Sequence, residues 1–305
     1  MSLPWWLPAG GALALVTGVV GGALLALALA APGLDLADNL GDAYLWRVVW
    51  FTLLQATLST LLSVALAIPV ARALARRRCP GRGLLLRLVS LSLVIPVIVA
   101  IFGIVAVHGR TGWVNDSLAL LGLGRIHYLY GLSGILIGHA FFNMPFVARI
   151  LLQALETVPP ETWRVASQFG LKSRDLFRLI EWPALRTVLP GAAGLVFMLC
   201  FTSFAVVLTL GGGPKATTLE VAVYQALRFD FDLGRAVTLA LVQLLLCGAI
   251  VLAVLQLAVP STTPLTEGRL YDRPDRGGAV GLAVDGGARQ HRAQGRPFDE
   301  AEKIA

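Results

Sequence analysis

Six apolar runs of about twenty residues each divide this 305-residue chain, and they leave it very few ways to fold. At 1.5 Å rise per residue, about 20 helical residues cover a hydrocarbon layer of about 30 Å. The runs occupy 11–31, 48–70, 88–107, 132–152, 188–210 and 236–259. Five of them carry no charged side chain, whereas the fourth holds Arg149 together with His139, Asn143 and Pro145. Backbone in lipid must satisfy its own hydrogen bonds, so each run is expected to be a helix. The fold expected is all-α, a polytopic bundle of about six transmembrane helices, with Pro96 and Pro145 kinking the third and fourth.

Charge is scarce and clustered. Only 14% of residues are charged, against about 25% in a soluble domain. The net charge of +7 suggests nucleic acid at first sight, but the basic residues sit in short loops between the runs. Membrane topology accounts for that placement, and no nucleic-acid partner is expected. Arg72, Arg76, Arg77, Arg78, Arg82 and Arg87 follow the second run; Arg164, Lys172, Arg174, Arg178 and Arg186 follow the fourth. The alternate loops hold Asp35, Asp38 and Asp42, or the scattered Arg110 and Arg125. The positive-inside rule then places both termini and the two basic loops in the cytoplasm.

No Lys or Arg precedes the first run, so it reads as a span and not as a cleaved signal. Residues 1–259 are therefore expected to form the membrane domain. Residues 260–305, rich in Gly, Arg, Asp and Pro, are expected to be a disordered cytoplasmic tail or linker.

Catalysis finds little support. The spans hold no acidic pair, HExxH or GxSxG, and three cysteines (Cys79, Cys200 and Cys247) are too few for a disulfide framework. They are expected to be reduced thiols without a metal or redox role, and no cofactor is expected on this chain. Gly211-Gly212-Gly213-Pro214 lacks the ending of a phosphate loop and reads as a turn. Residues 218–228 after it read as a short amphipathic helix at the outer surface. His139 and Asn143 lie one helical turn apart on one face of the fourth span. Two readings stay open for this polar pair: contact with solute in a pathway, or hydrogen bonding between helices.

The loop between the fourth and fifth runs, 158–187, carries the most information. With its flank it reads VPPETWRVASQFGLKSRDLFRLIEWPALRTVLPG. Pro159 and Pro160 suit a helix start, Glu161 in the first turn favours its dipole, and Gly170 supplies a left-handed stop. A second short helix is expected after Ser173, with Leu176, Phe177 and Ile180 on its apolar face and Pro183 ending it. The expected product is a helical hairpin under the membrane that presents Trp163, Ala166 and Phe169. Packing on its own bundle competes here with docking to a partner.

Ala166, Gly170 and, thirteen residues later, Pro183 match the second alanine, glycine and proline of the "EAA" loop of type I ABC importer permeases (the MetI-like fold). Arg164, Val165 and Trp182 depart from the pattern's glutamate, first alanine and leucine, and Glu161 stands one turn before Arg164. The resemblance reaches further. Tyr44-Leu45-Trp46 through Phe102-Gly103-Ile104, LIGHAFFNMPFVAR at 136–149 and LTLGGGPKATTLEVAVYQAL at 208–227 resemble the N-terminal half of the bacterial thiamine permeases.

The resemblance implies a permease subunit importing thiamine or its phosphates, delivered by a periplasmic binding protein. It implies docking of a separate ATP-binding cassette subunit, which holds ATP and Mg, on Glu161, Trp163, Arg164, Ala166, Phe169, Gly170 and Pro183. It also implies a second permease half, as another chain or a missing C-terminal half. The chain is then a truncated or frameshifted product or half of a split permease, and alone it is not expected to transport. Permeases for ferric iron, sulfate or polyamines are the competing solute readings. A gradient-driven secondary transporter competes less well, because five spans lack charge.

Overall fold

The computed structural model describes residues 6–29, 36–76, 81–92 and 94–257. The tail expected at 260–305 lies outside them, as do Cys79, Arg77, Arg78 and Asp35. Among the described residues the regular structure is helical throughout, in the order that follows. α1 is Trp6–Leu29, α2 Leu36–Gly41, α3 Ala43–Arg76 and α4 Arg82–Leu91. α5 is Val97–His108, α6 Trp113–Leu120 and α7 Leu132–Glu156. α8 is Pro160–Gln168, α9 Ser173–Leu176, α10 Trp182–Phe201 and α11 Ala205–Leu210. α12 is Leu219–Gln225 and α13 Leu233–Leu257.

Five stretches among the described residues are long and apolar enough to cross a membrane: Ala43–Arg76, Val97–Leu120, Leu132–Glu156, Ser173–Phe201 and Leu233–Gln256. The first expected span falls on α1, which contains the shorter apolar helix Gly10–Ala23. Outward rows such as Leu245, Leu252 and Leu255 are exposed on α13. In water such rows would drive aggregation, but in lipid they are the solvated surface.

The third expected span is broken, not kinked. Pro96 ends the preceding segment and stands before Val97 in an extended conformation, φ −55° and ψ 133°. Its ring lacks an N–H and pushes the residue before it away from helical angles, so a new helix starts at Val97. Pro145, by contrast, lies inside an unbroken α7. The fifth span also starts earlier than expected, at Ser173, and ends at Phe201 before α11.

The chain divides into two compact units. The first comprises 1–63, 94–144 and 191–258. Its core gathers Ile101, Ile104, Leu129, Val206 and Leu210, beside a second cluster of Ile135, Val207, Ala216 and Val221. Gly138 permits the close approach of α7 to α11, since a Cβ there would meet Val206 Cγ1 at 2.8 Å. The amphipathic helix expected at 218–228 packs through one side: Leu219, Val221 and Ala222 are buried, the Leu219 N–H donates to Thr52 Oγ1 at 3.0 Å, and Leu227 and Arg228 are exposed.

The second unit comprises, of the described residues, 64–76, 81–92 and 145–190. It contains the Arg76 end of α3, α4, the Glu156 end of α7, α8, α9 and the start of α10. At one corner Arg82 donates to Glu156 at 2.5 Å and to the Leu74 carbonyl at 3.1 Å.

Candidate functional site

The hairpin is built from its stops. Pro159 caps α8 and Pro160 opens it, where a missing N–H costs no hydrogen bond. Glu161 lies in the first turn. At the other end Gly170 takes φ +62°. The Leu171 N–H then reaches back to the Ala166 carbonyl, and the Gly170 N–H to that of Ser167, each at 3.2 Å. Those two bonds define a Schellman stop, which a left-handed glycine makes without steric cost.

The outward face differs from the expectation in one respect. Trp163 and Ala166 are buried, at 2% and 4% exposure, so the hairpin does not present them. Pro160, Trp163 and Ala166 recur at spacing three, which lays them on the inner face of a short helix. Exposed are Glu161, Arg164 and Val165, with Phe169 at 77% exposure. Glu161, Thr162, Val165, Ala166, Phe169, Leu171 and Ile180 line a mostly apolar groove of about 460 Å³.

The second arm also departs from the expected two-helix scheme. Ser173–Leu176 is α-helical, Phe177–Glu181 is a π turn, and α10 follows without a gap. Pro183 therefore does not end the helix but sits at its second position in α10. The Trp182 N–H bonds to the Phe177 carbonyl, five residues back. That wider turn relieves the clash a proline ring otherwise makes with the carbonyl four residues before it.

A carboxylate that sequence reasoning passed over sits at the base of this arm. Glu181 is fully buried, and its Oε2 and Oε1 accept from Arg72 Nε and Arg76 Nε, each at 2.7 Å. Buried charge is stable only when paired and hydrogen-bonded, and both oxygens here meet that condition. The only signal in the sequence is one acid in a segment flanked by arginines, and the partners stand 109 and 105 residues away.

In the first unit, His139 and Asn143 are both buried. His139 Nδ1 lies 2.8 Å from Ser59 Oγ, and Asn143 Nδ2 donates to Cys200 Sγ at 3.1 Å. Gln55 Nε2 donates to the Cys200 carbonyl at 2.9 Å. Thr52, Gln55, Ser59 and Ser63 fall on one buried face of α3, from which Ser59 reaches α7, Gln55 reaches α10 and Thr52 reaches α12.

A multi-pass helical bundle, with an exposed helical hairpin clamped to one end of a spanning helix, is the class of protein this fold defines. The chain belongs to the family described as "binding-protein-dependent transport system inner membrane component", which matches residues 63–262. That description makes it a transport-system component of an inner membrane. It is similar to the thiamine transport system permease protein of Brucella abortus (strain 2308), 54% identical over 85% of this chain and 48% of that one. The Escherichia coli (strain K12) protein of that description is 50% identical over 89% of this chain and 51% of its own length. The chain thus spans about half the length of these relatives. A sulfate transport system permease protein of Synechococcus elongatus is 30% identical over 62% of this chain.

The fold is that of the type I ABC importer permeases. A bacterial ABC transporter that imports the polysaccharide alginate superposes with a TM-score of 0.72 at 17% identity, covering 85% of this chain and 94% of the other. The methionine ABC transporter in an inward-facing conformation superposes at 0.55 with 18% identity, covering 70% and 94%.

Proposed function

We propose that this chain is one permease half of an ATP-driven importer for thiamine or its phosphates. A periplasmic binding protein delivers the solute, and a second permease half completes the pathway. ATP and Mg are held by a separate ATP-binding cassette subunit. The observation that carries the solute is identity of 50–54% with thiamine permeases over 85–89% of the chain. The sulfate permease, at 30% over 62%, supports sulfate less well.

The ATP-binding subunit docks on the 158–187 hairpin. Glu161, Arg164 and Phe169 reach it from the exposed face, beside the apolar groove. Buried Trp163 and Ala166 hold α8 in place, Gly170 sets the turn, and Pro183 continues the arm into the membrane. A lever of this kind must be stiff, since a loose loop would dissipate a hinge motion. The arginines that flank the hairpin support a cytoplasmic setting for it and for both termini. His139 and Asn143 serve helix packing, a reading supported by their bonds to Ser59 and Cys200.

The test is reconstitution of this chain with its second half, ATP-binding subunit and binding protein. Thiamine uptake that requires ATP is the expected result. Uptake that ignores ATP and follows an ion gradient would overturn the reading, and failure to capture the ATP-binding subunit would remove the docking role.

A further inference from the structure

The contacts of Glu181 belong to a larger pattern. Ser173, Phe177 and Glu181 recur every four residues, and each touches the Arg72–Arg76 turn of α3. Arg76 Nη1 bonds Ser173 Oγ at 2.5 Å and Nη2 bonds the Ser173 carbonyl at 3.2 Å. The Arg72 guanidinium lies over the Phe177 ring, 4.1 Å from its centroid. Glu181 receives both Nε atoms. Arg72 and Arg76 are themselves four apart and so share a face of α3.

Geometry explains the π turn at this place. At 3.6 residues per turn, residues four apart drift by about 40° around an α-helix, so three in a row would fan away from a straight partner. A turn closed one residue wider takes that drift back. The π turn covers Phe177–Glu181, the second step of the series, where a wider turn offsets that drift.

We propose that Glu181 is a positioning residue that joins the hairpin to α3, so that displacement of the hairpin moves the Arg72–Arg76 end of α3 with it. This rests on the reading of the hairpin as the docking site of an ATP-binding subunit. Three features support a joint over a simple surface ion pair. The carboxylate is fully buried, both of its oxygens are used, and the clasp spans two helical turns. The Arg72–Arg76 turn belongs to the 34-residue helix α3, which contains Pro69 seven residues before Arg76.

The experiment uses the full transporter in proteoliposomes, with thiamine as solute and with E181Q, R76Q and the double variant. In assembled complexes of each single variant, thiamine taken up per ATP hydrolysed is expected to fall about ten-fold. The double variant is expected to fall no further than E181Q, because both changes open one joint. A merely structural role would reduce the amount of complex recovered and leave uptake per ATP at the wild-type value. That result, or additive losses in the double variant, overturns the joint. Should E181Q fail to assemble, R76Q decides, since it leaves Glu181 paired with Arg72. A wild-type chain that neither captures the ATP-binding subunit nor takes up thiamine sinks the docking reading and the joint with it. Normal wild-type coupling with normally coupled variants sinks the joint alone.

Discussion

The side-chain amide of Gln55 donates to the carbonyl oxygen of Cys200, 2.9 Å away and 145 residues later in the chain. α10 stops at Phe201, and a short bend separates it from α11. The last carbonyls of a helix have no intrahelical partner, and lipid supplies none. The Cys200 carbonyl also accepts from the Ser203 N–H at 3.4 Å, and Gln55 adds a shorter second bond to that oxygen inside the bundle.

Gln55→Leu removes that donor while keeping the volume. The expected cost is about 1–2 kcal/mol of stability. It should appear as an earlier unfolding midpoint in detergent or nanodiscs; an unchanged midpoint would show that the carbonyl needs no such partner.

Gly170 offers a cleaner test, because nothing lies within 4 Å of the Cβ it lacks. Any penalty at this position is conformational, arising from φ +62°. Gly170→Val is expected to strain the turn by about 1–2 kcal/mol and to uncouple ATP hydrolysis from thiamine uptake. Gly170→Asn, which tolerates the left-handed region, is expected to stay coupled. Equal uptake by the two variants would count against a turn requirement.

Phe169 and Trp163 should separate docking from stability. Phe169→Ala removes an exposed ring and is expected to weaken capture of the ATP-binding subunit by about 2 kcal/mol, a hot-spot magnitude. Trp163→Ala empties a buried site instead and is expected to cost about 3–5 kcal/mol of fold stability. Pull-down yield and thermal unfolding, measured on both variants, read the two effects independently. A destabilised Phe169→Ala with normal capture would reverse the assignment.

Topology can be measured with cysteines introduced one at a time at Arg174 and Phe169, both exposed, in a background with Cys79 and Cys247 replaced by serine. A membrane-impermeant thiol reagent is expected to label them only in inside-out vesicles. Cys200 is buried and should stay unlabelled from either side. Labelling in right-side-out cells would place the hairpin on the wrong face for an ATP-binding subunit.

Much of the architecture was legible before any coordinates. Runs of twenty apolar residues have few fates other than spanning, and Pro-Pro-Glu with a later glycine announces α8 and its stop. The break at Pro96 was less legible, because a proline in a span either kinks or ends a helix according to what surrounds it. The facing of Trp163 and Ala166 was misread for a related reason. On a nine-residue helix, the same periodicity serves a face turned inward and a face offered to a partner.

The amino-acid order by itself determined that the chain is built of membrane-spanning helices, which loops carry positive charge, and where the hairpin turns. Those properties depend on local composition, backbone preference and transfer energy, all of which a linear string contains. Only the tertiary structure decided that Glu181 meets Arg72 and Arg76, that Ser59 meets His139, and that Gln55 meets the Cys200 carbonyl. Such pairings join residues far apart in the chain, and they are selected by the packing of whole helices, which no short window of sequence encodes.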